Sequence, residues 1–250
     1  MLAVISPSKT QDFDSSAVRE FTHTRQAQQT LSLVEILKQY SAQQLGELMS
    51  ISDKLSTLNF ERFQHFSEEF TLDNAKQAIL AFKGDVYNGI DAPTLSTDDL
   101  AFAQQHVRML SGLYGVIRPL DLIQPYRLEM GTKLANAKGA NLYKFWGDQI
   151  SQVLNEDESE VLVNLASNEY FKGIDKKALN ARILDIAFKE NKNGQYKVIG
   201  IHAKRARGLM VRYLIDNRLE SPEQLKGFST EGYVFNPSLS SDNTWVFTRD

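Results

Sequence analysis

The sequence predicts a single domain of mixed α/β (α+β) class that spans residues 1–250. The chain is 42% hydrophobic, which is enough for one large core. Short apolar runs are interspersed with segments of helical periodicity, and no linker or internal repeat divides them. Near the end, the Asn191–Gly194 turn joins two predicted strands at a spacing typical of an antiparallel hairpin. This mixture favours an α+β arrangement over a regular doubly wound sheet.

The first part of the chain is predicted to hold one buried strand followed by helices. The apolar run from Leu2 to Ile5 is typical of a buried strand, and Ser6 to Thr10 form the turn that leaves it. This turn has the Lys-Thr pair of a phosphate loop without the glycine-rich run, so we do not expect it to bind a nucleoside triphosphate. From Gln26 to about Phe70, apolar residues recur three and four apart, which predicts helices with Ser41 and Ser52 as N-caps.

The second part of the chain is predicted to alternate between helices and short strands. Helical periodicity predicts helices at 98–110, 141–154 and 204–219. Apolar runs bounded by turn residues predict strands at 160–165, 183–188, 196–202, 233–236 and 244–248.

Composition excludes several classes of protein. The absence of cysteine excludes disulfide frameworks, thiol nucleophiles and thiolate metal sites. The four histidines, at positions 23, 65, 106 and 202, are scattered, so we expect no metal and no other cofactor. The start of the chain lacks a basic segment followed by a long apolar run, which predicts a cytoplasmic protein that does not enter a membrane. A net charge of -3 indicates that any contact with nucleic acid is a local patch.

Basic residues are concentrated between Asn191 and Ile215, a stretch that contains no acidic residue. We predict a strand at 198–203 and a helix from Lys204, which places three cations in the first turns of that helix. Because the helix dipole repels cations at this end, their presence predicts a bound anion such as a phosphate. The residues predicted to hold DNA phosphates here are Lys204, Arg205, Arg207 and Arg212.

A second candidate for phosphate binding follows the predicted helix 98–110. The segment Ser111, Gly112, Leu113, Tyr114 and Gly115 resembles a helix-hairpin-helix, in which glycines allow backbone N–H groups to approach a DNA phosphate. Arg118 would extend this surface, and Tyr114, predicted to be exposed, could stack on a base. The other interpretation, an ordinary glycine-rich connection, is equally compatible with the sequence because the glycine spacing and Pro119 depart from the usual hairpin.

A third set of candidates consists of polar residues at the ends of predicted elements. Asn164 to Lys172 follow a predicted strand, which is a common place for small-molecule sites, although helix capping by Ser167 explains much of the pattern. Arg127 could simply pair with Glu129. The residues assigned to a possible cleft are Lys9, Lys54, Lys83, Arg127, Lys144, Asn164, Ser167, Tyr170 and Lys172.

Taken in order, several of these segments resemble the YaaA family of bacterial peroxide-stress proteins. The matching segments, which extend over essentially the whole chain, are 51–55, 81–87, 110–121, 125–131, 164–167 and 204–210. The resemblance implies a single domain of unusual fold with a helix-hairpin-helix element, a basic cleft and binding to double-stranded or branched DNA. It also implies a role in limiting oxidative damage, linked to low free iron and to DNA repair, without implying any catalytic residue.

The favoured function is therefore sequence-nonspecific binding of duplex or branched DNA in the peroxide stress response, and the sequence identifies no catalytic constellation. The alternative is an enzyme that acts on a phosphorylated small molecule or a damaged nucleotide in a lysine-rich cleft, where a desolvated lysine could be the nucleophile. The sequence does not indicate an oligomeric state.

Overall fold

The computed structural model describes all 250 residues and contains ten strands and ten α-helices. The strands are β1 (Leu2–Ile5), β2 (Lys76–Gln77), β3 (Val107–Ser111), β4 (Gly115–Ile117), β5 (Leu122–Ile123), β6 (Val161–Leu165), β7 (Arg182–Lys192), β8 (Gln195–Lys197), β9 (Val234–Phe235) and β10 (Thr244–Arg249). The helices are α1 (Ala27–Lys38), α2 (Ala42–Met49), α3 (Asp53–Gln64), α4 (Ala78–Ala81), α5 (Asp85–Ile90), α6 (Thr97–His106), α7 (Leu142–Trp146), α8 (Gln149–Asn155), α9 (Asn168–Phe171) and α10 (Gly200–Asp216). None of these helices is long and apolar enough to span a bilayer.

A mixed, mostly parallel sheet organises the fold. Its strand order is β4-β3-β1-β6-β7-β10-β9, and β8 pairs with the far end of β7. The central pairs, β3 with β1, β1 with β6, β6 with β7 and β7 with β10, are parallel. The outer pairs formed by β4, β8 and β9 are antiparallel. The predicted mixed α/β class is therefore confirmed, including the hairpin formed by β7 and β8.

The first strand lies at the centre of this sheet. Ala3, Val4 and Ile5 are fully buried, and Ala3 is in register with Val107 on one side and Val163 on the other. A strand covered on both faces needs apolar residues throughout, which explains the continuous apolar run. Because β1, β3 and β6 are parallel, their carboxyl ends meet at one edge of the sheet.

The predicted helical region is divided into α1, α2 and α3. Ser41 forms the predicted N-cap of α2: its hydroxyl accepts a hydrogen bond from the backbone N–H of Gln44, whose side chain binds the N–H of Ser41 in return. This reciprocal arrangement is a capping box. Ser52 occupies the N-cap position of α3, but its side chain makes no capping hydrogen bond.

The helix-hairpin-helix prediction is wrong. Helix α6 ends at His106, and the residues that follow form the antiparallel pair of β3 and β4, in which Ser111 is opposite Gly115. The Ser111 hydroxyl accepts hydrogen bonds from the N–H groups of Leu113 and Tyr114, which closes the turn. The segment 107–110, in which Arg108 interrupts the apolar residues, is too short for its period to separate a helix from a strand, and here β3 pairs with β1 in the core.

The basic helix begins earlier than predicted. Residues 198–203 do not extend the strand, because β8 ends at Lys197 and α10 starts at Gly200. Lys204 is therefore past the first turn of α10, and the predicted anion site at the helix start is wrong in its placement. The predicted helix at 141–154 is likewise divided at Gly147, whose φ of 52° lies in the left-handed region.

Helices α5 and α10 cross at very close range through two glycines. A Cβ atom on Gly208 would lie 1.9 Å from the carbonyl oxygen of Val86, and one on Gly89 would lie 2.6 Å from that of Arg205. Only glycine allows two helix backbones to approach so closely. This crossing fixes α10 against α5, and thereby places the basic helix next to the carboxyl edge of the sheet.

Candidate functional site

A cleft of about 400 Å³ opens at the carboxyl edge of the parallel strands. The loop Ser6–Lys9, which leaves β1, forms one wall, and Ser167–Tyr170, which follow β6, form the next. The lining is completed by residues Lys83–Tyr87 at the start of α5 and by the side chains of Lys204 and Arg207 on α10. Ligand sites in α/β proteins lie preferentially at this edge, because loops from separate strands converge there.

The walls of the cleft are joined by hydrogen bonds. The Ser6 hydroxyl accepts a hydrogen bond from the backbone N–H of Ser167 at 2.9 Å and donates to the Ser167 hydroxyl at 3.3 Å. The hydroxyl of Tyr87 donates to the carbonyl oxygen of Ser6 at 3.0 Å. Burial raises the pKa of Tyr87, so this phenol stays protonated and can donate. These hydrogen bonds hold the loop after β1 against both the start of α9 and the start of α5.

Four cations line this cleft, and so do the carboxylates of Asp85 and Glu169. Lys9 pairs with Glu129 at 2.7 Å, and Lys83 pairs with Asp12 at 3.2 Å. In contrast, Lys204 and Arg207 make no salt bridge, although both line the cleft. The α10 side of the cleft therefore carries two cations that make no salt bridge.

The guanidinium of Arg207 is partly buried and incompletely hydrogen-bonded. Its Nε atom has no hydrogen-bond partner although water does not reach it. Burial lowers the pKa of Arg207, because the charged form is poorly solvated. A buried donor without a partner costs free energy, on the order of 1–3 kcal/mol. An anion in the cleft would instead compensate the charge of this poorly solvated guanidinium.

A narrow crevice adjoins the cleft and shares Lys9 and Tyr170 with it. Arg127 lies in this crevice and, like Arg207, has a buried Nε without a partner. Glu129 contacts Arg127 at 3.3 Å in addition to Lys9, so the predicted Arg127–Glu129 pair is present. This carboxylate holds both cations at the border between the crevice and the cleft.

The other two cations predicted on the basic helix lie outside the cleft. Arg205 pairs with Glu231 at 2.7 Å, and this hydrogen bond raises the pKa of the guanidinium. Arg212 pairs with Asp216 at 2.8 Å and also donates to the hydroxyl of Thr94. Through these contacts, Arg205 and Arg212 tie α10 to neighbouring parts of the fold. Of the four cations predicted on the basic helix, only Lys204 and Arg207 line the cleft.

The predicted hairpin residues are inaccessible to a DNA phosphate. Ser111, Gly112, Leu113, Tyr114 and Gly115 are all buried. The hydroxyl of Tyr114 accepts a hydrogen bond from the N–H of Gln124 at 2.9 Å and donates to its carbonyl oxygen at 3.3 Å, so the prediction that Tyr114 is exposed is wrong. Their burial follows from the position of this hairpin beside the central strand.

Arg118, which was predicted to extend the hairpin surface, is also engaged locally. Its guanidinium donates two hydrogen bonds to Asp121, at 3.1 and 3.0 Å, and one to the carbonyl oxygen of His23 at 3.0 Å. These contacts hold the turn after β4 against the N-terminal segment, and they assign Arg118 a structural role.

The residues predicted to line a cleft divide into two groups. Lys9, Lys83, Ser167 and Tyr170 line the observed cleft, although Ser167 makes no capping hydrogen bond through its side chain. The residues that do not line it are Lys54, Arg127, Lys144, Asn164 and Lys172, of which Arg127 lies in the adjoining crevice.

The residues outside the cleft have local explanations. The amide of Asn164 donates to Asp185 at 2.7 Å, and its oxygen accepts from the N–H of Ala166 at 3.0 Å. Lys172 lies over the ring of Tyr143, 5.6 Å from its centre. Lys54 and Lys144 are exposed on α3 and α7.

Sequence reasoning missed five polar residues of the cleft: Ser6, Ser8, Asp85, Tyr87 and Glu169. Ser6 and Ser8 carried a usable signal, because they directly follow a strand that is apolar throughout and therefore parallel and central. Asp85, Tyr87 and Glu169 had no comparable signal, since their segments reach the cleft only through tertiary packing.

The fold and the cleft define a mixed α/β protein with a polar site at the carboxyl edge of its parallel strands. Residues 1–239 match the family model described as "Peroxide stress protein YaaA", and the chain belongs to this family. It is similar to a UPF0246 protein of Acaryochloris marina, with 60% identity over 252 residues, and to one of Hahella chejuensis, with 53% identity over 255 residues. Both alignments cover all of both chains. The family resemblance of the sequence is thus confirmed.

Proposed function

We propose that this member of the peroxide stress family binds DNA without sequence specificity, by holding backbone phosphates at the cleft. The observation that supports this proposal is the pair Lys204 and Arg207, which face the cleft without a salt bridge. Lys9 and Lys83 add two cations from segments far apart in the sequence. Phosphate contacts of this kind position a protein on DNA without reading its bases.

The two paired lysines are available to a phosphate as well. The side chains of Lys9 and Lys83 are 59% and 37% exposed, and ion pairs at such sites contribute only about 0–1 kcal/mol. A phosphate can therefore replace Glu129 or Asp12 as the partner at little cost. Four cations in one cleft then provide about four phosphate contacts.

The salt dependence of binding tests the electrostatic part of the proposal. With about four phosphate contacts, the affinity for duplex DNA is expected to fall about 100-fold between roughly 50 and 200 mM salt. Fluorescence anisotropy with two duplexes of unrelated sequence measures this decrease. Equal affinities at the two salt concentrations, or a large difference between the two sequences, would contradict the proposal.

A charge-matched pair of variants tests the location. The double variant Lys204→Gln/Arg207→Gln removes the two unpaired cations of the cleft, and is expected to bind duplex DNA at least tenfold more weakly. Lys54→Gln/Lys144→Gln removes the same charge from exposed positions outside the cleft and is expected to bind like the unmodified protein. Similar losses in both double variants would show that overall charge, and not the cleft, determines binding.

The link to low free iron and to DNA repair stays a prediction from the resemblance. No group of three or more His, Cys, Asp or Glu side chains is arranged to hold a metal ion, so we do not propose direct sequestration of iron. Protection of DNA from peroxide is instead proposed to follow from occupancy of the DNA by the protein.

A further inference from the structure

The carboxylates of the cleft are unexpected in a site that binds only phosphates. Asp85 lines the cleft and makes no hydrogen bond or salt bridge through its side chain, although the charge of Arg205 acts on it at longer range. Glu169 uses one carboxylate oxygen, Oε1, to accept a hydrogen bond from the N–H of Gly131 at 3.0 Å. Its other oxygen makes no hydrogen bond. Repulsion between these carboxylates and a phosphate weakens binding unless the ligand also carries hydrogen-bond donors.

Opposite charges therefore remain unpaired within one cleft. Asp85 makes no salt bridge with Lys204 or Arg207, although all three side chains line the same space. A ligand that carries an anionic group at one end and N–H or O–H donors at the other would satisfy both sets of groups. A nucleotide has these features, since its phosphate is anionic and its base and sugar provide donors.

The remainder of the lining is suited to a flat, partly apolar group. Pro7, Val86, Tyr87 and Tyr170 contribute to the walls, and both tyrosine rings are nearly buried. Burial raises the pKa of both tyrosines, so they present neutral surfaces. Nucleobases pack favourably against tyrosine rings and other apolar side chains.

The volume of the cleft limits what can enter it. About 400 Å³ is within the range of small-molecule sites, roughly 300–1,000 Å³. A double helix, whose major groove alone is about 12 Å wide, is too large to enter, so in the proposed function its backbone phosphates lie across the mouth of the cleft. We infer that the cleft receives a single nucleotide that is unpaired, with its phosphate on Arg207 and Lys204 and its base or sugar donors on Asp85 and Glu169. This inference rests on the proposed function and adds the part of the DNA that enters the cleft.

An experiment on the unmodified protein tests this inference. Anisotropy is measured with a short duplex and with the same duplex carrying one unpaired nucleotide, and deoxyadenosine monophosphate or inorganic phosphate is added as competitor. We expect about tenfold tighter binding of the DNA with the unpaired nucleotide, and release of that DNA by the mononucleotide at concentrations where inorganic phosphate has no effect. A free mononucleotide that binds to the protein when neither DNA does would identify a soluble nucleotide as the ligand and would refute the proposed DNA binding.

Two outcomes would overturn the inference and leave the proposed function intact. One is equal affinity for the two DNAs with no release by the mononucleotide. The other is equal competition by inorganic phosphate and the mononucleotide, which would show that the cleft recognises phosphate alone.

The variant Asp85→Asn separates nucleotide recognition from phosphate binding. It is expected to weaken binding of the mononucleotide about tenfold, because a charged acceptor is lost, while affinity for the plain duplex is retained or increased. Asp242→Asn, an exposed aspartate elsewhere, is the matched control and is expected to change neither affinity. If Asp85→Asn lowers both affinities equally with unchanged thermal stability, the assigned role of Asp85 is wrong.

Discussion

The contact between Gly208 and α5 predicts that one added methyl group will disturb both stability and the cleft. The Cβ of Gly208→Ala would lie 1.9 Å from the carbonyl oxygen of Val86, whereas ordinary contacts begin at 3.4 Å, so the two helices must separate by about 1.5 Å. Overpacking of this kind costs roughly 1–3 kcal/mol, and the higher value is expected because the contact is with backbone. The greater helix propensity of alanine offsets up to about 1 kcal/mol. The expected net loss is about 2 kcal/mol.

A second glycine on the same helix provides the control. A Cβ at Gly200 would meet no atom within 4 Å, so Gly200→Ala is expected to be neutral or to stabilise the protein by up to about 1 kcal/mol. Urea denaturation followed by circular dichroism measures both changes, and a loss of about 2 kcal/mol corresponds to roughly 4–8 °C in Tm. Because Lys204 and Arg207 move with α10, Gly208→Ala is also expected to weaken DNA binding. Equal stability of the two variants would refute the close crossing.

Two further predictions concern buried polar contacts. Asp157→Asn is expected to destabilise the protein by about 3 kcal/mol, because it leaves the buried guanidinium of Arg108 without its carboxylate. Burial opposes ionisation of Asp157, but hydrogen bonds from Arg108 and Arg25 lower its pKa overall from 3.8. The difference in free energy of unfolding between the unmodified protein and Asp157→Asn, measured by urea denaturation, is therefore expected to reach its full value above about pH 5. It is expected to shrink as the pH falls below 3.8, where the carboxylate becomes protonated. Tyr114→Phe is expected to cost about 1–3 kcal/mol, because the buried N–H of Gln124 loses its acceptor, without changing affinity for DNA. Weaker DNA binding by a stably folded Tyr114→Phe protein would show that the hairpin contacts DNA after all.

The predictable parts of the fold are those in which the local sequence pattern is compatible with only one type of secondary structure. The run Leu2–Ile5 is apolar at every position, which is typical of a strand buried on both faces. Ser41 and Gln44 have the spacing of a capping box, and both hydrogen bonds are present. The segment 107–110 has a charged residue, Arg108, among its apolar residues, and four such residues cannot distinguish a helical period from a strand. Its pairing with β1, more than 100 residues away, decides the structure.

The site was predictable only where a residue carried its own signal. The count of basic residues on α10 indicated a phosphate site, but it did not separate the faces of the helix. Lys204 and Arg207 are three residues apart and share a face, whereas Arg205 and Arg212 are seven apart and share another. Only the first pair faces the cleft. Asp85 could not be found from the sequence, because the crossing of α5 and α10 places it there.

The position of β1 has a consequence for how the chain is made. Strand β1 leaves the ribosome before both of its partners, which lie at 107–109 and 162–165. At about 5–20 residues per second, synthesis of the second partner takes roughly 10 to 30 s. During this time the fully apolar β1 lacks one or both of its neighbouring strands, and exposed apolar segments of this kind are prone to aggregation. Polar substitutions in this strand are therefore expected to lower the amount of folded protein in cells, because they weaken the core. Slower translation after residue 110 is expected to lower that amount as well, because it lengthens the time before β6 is synthesised.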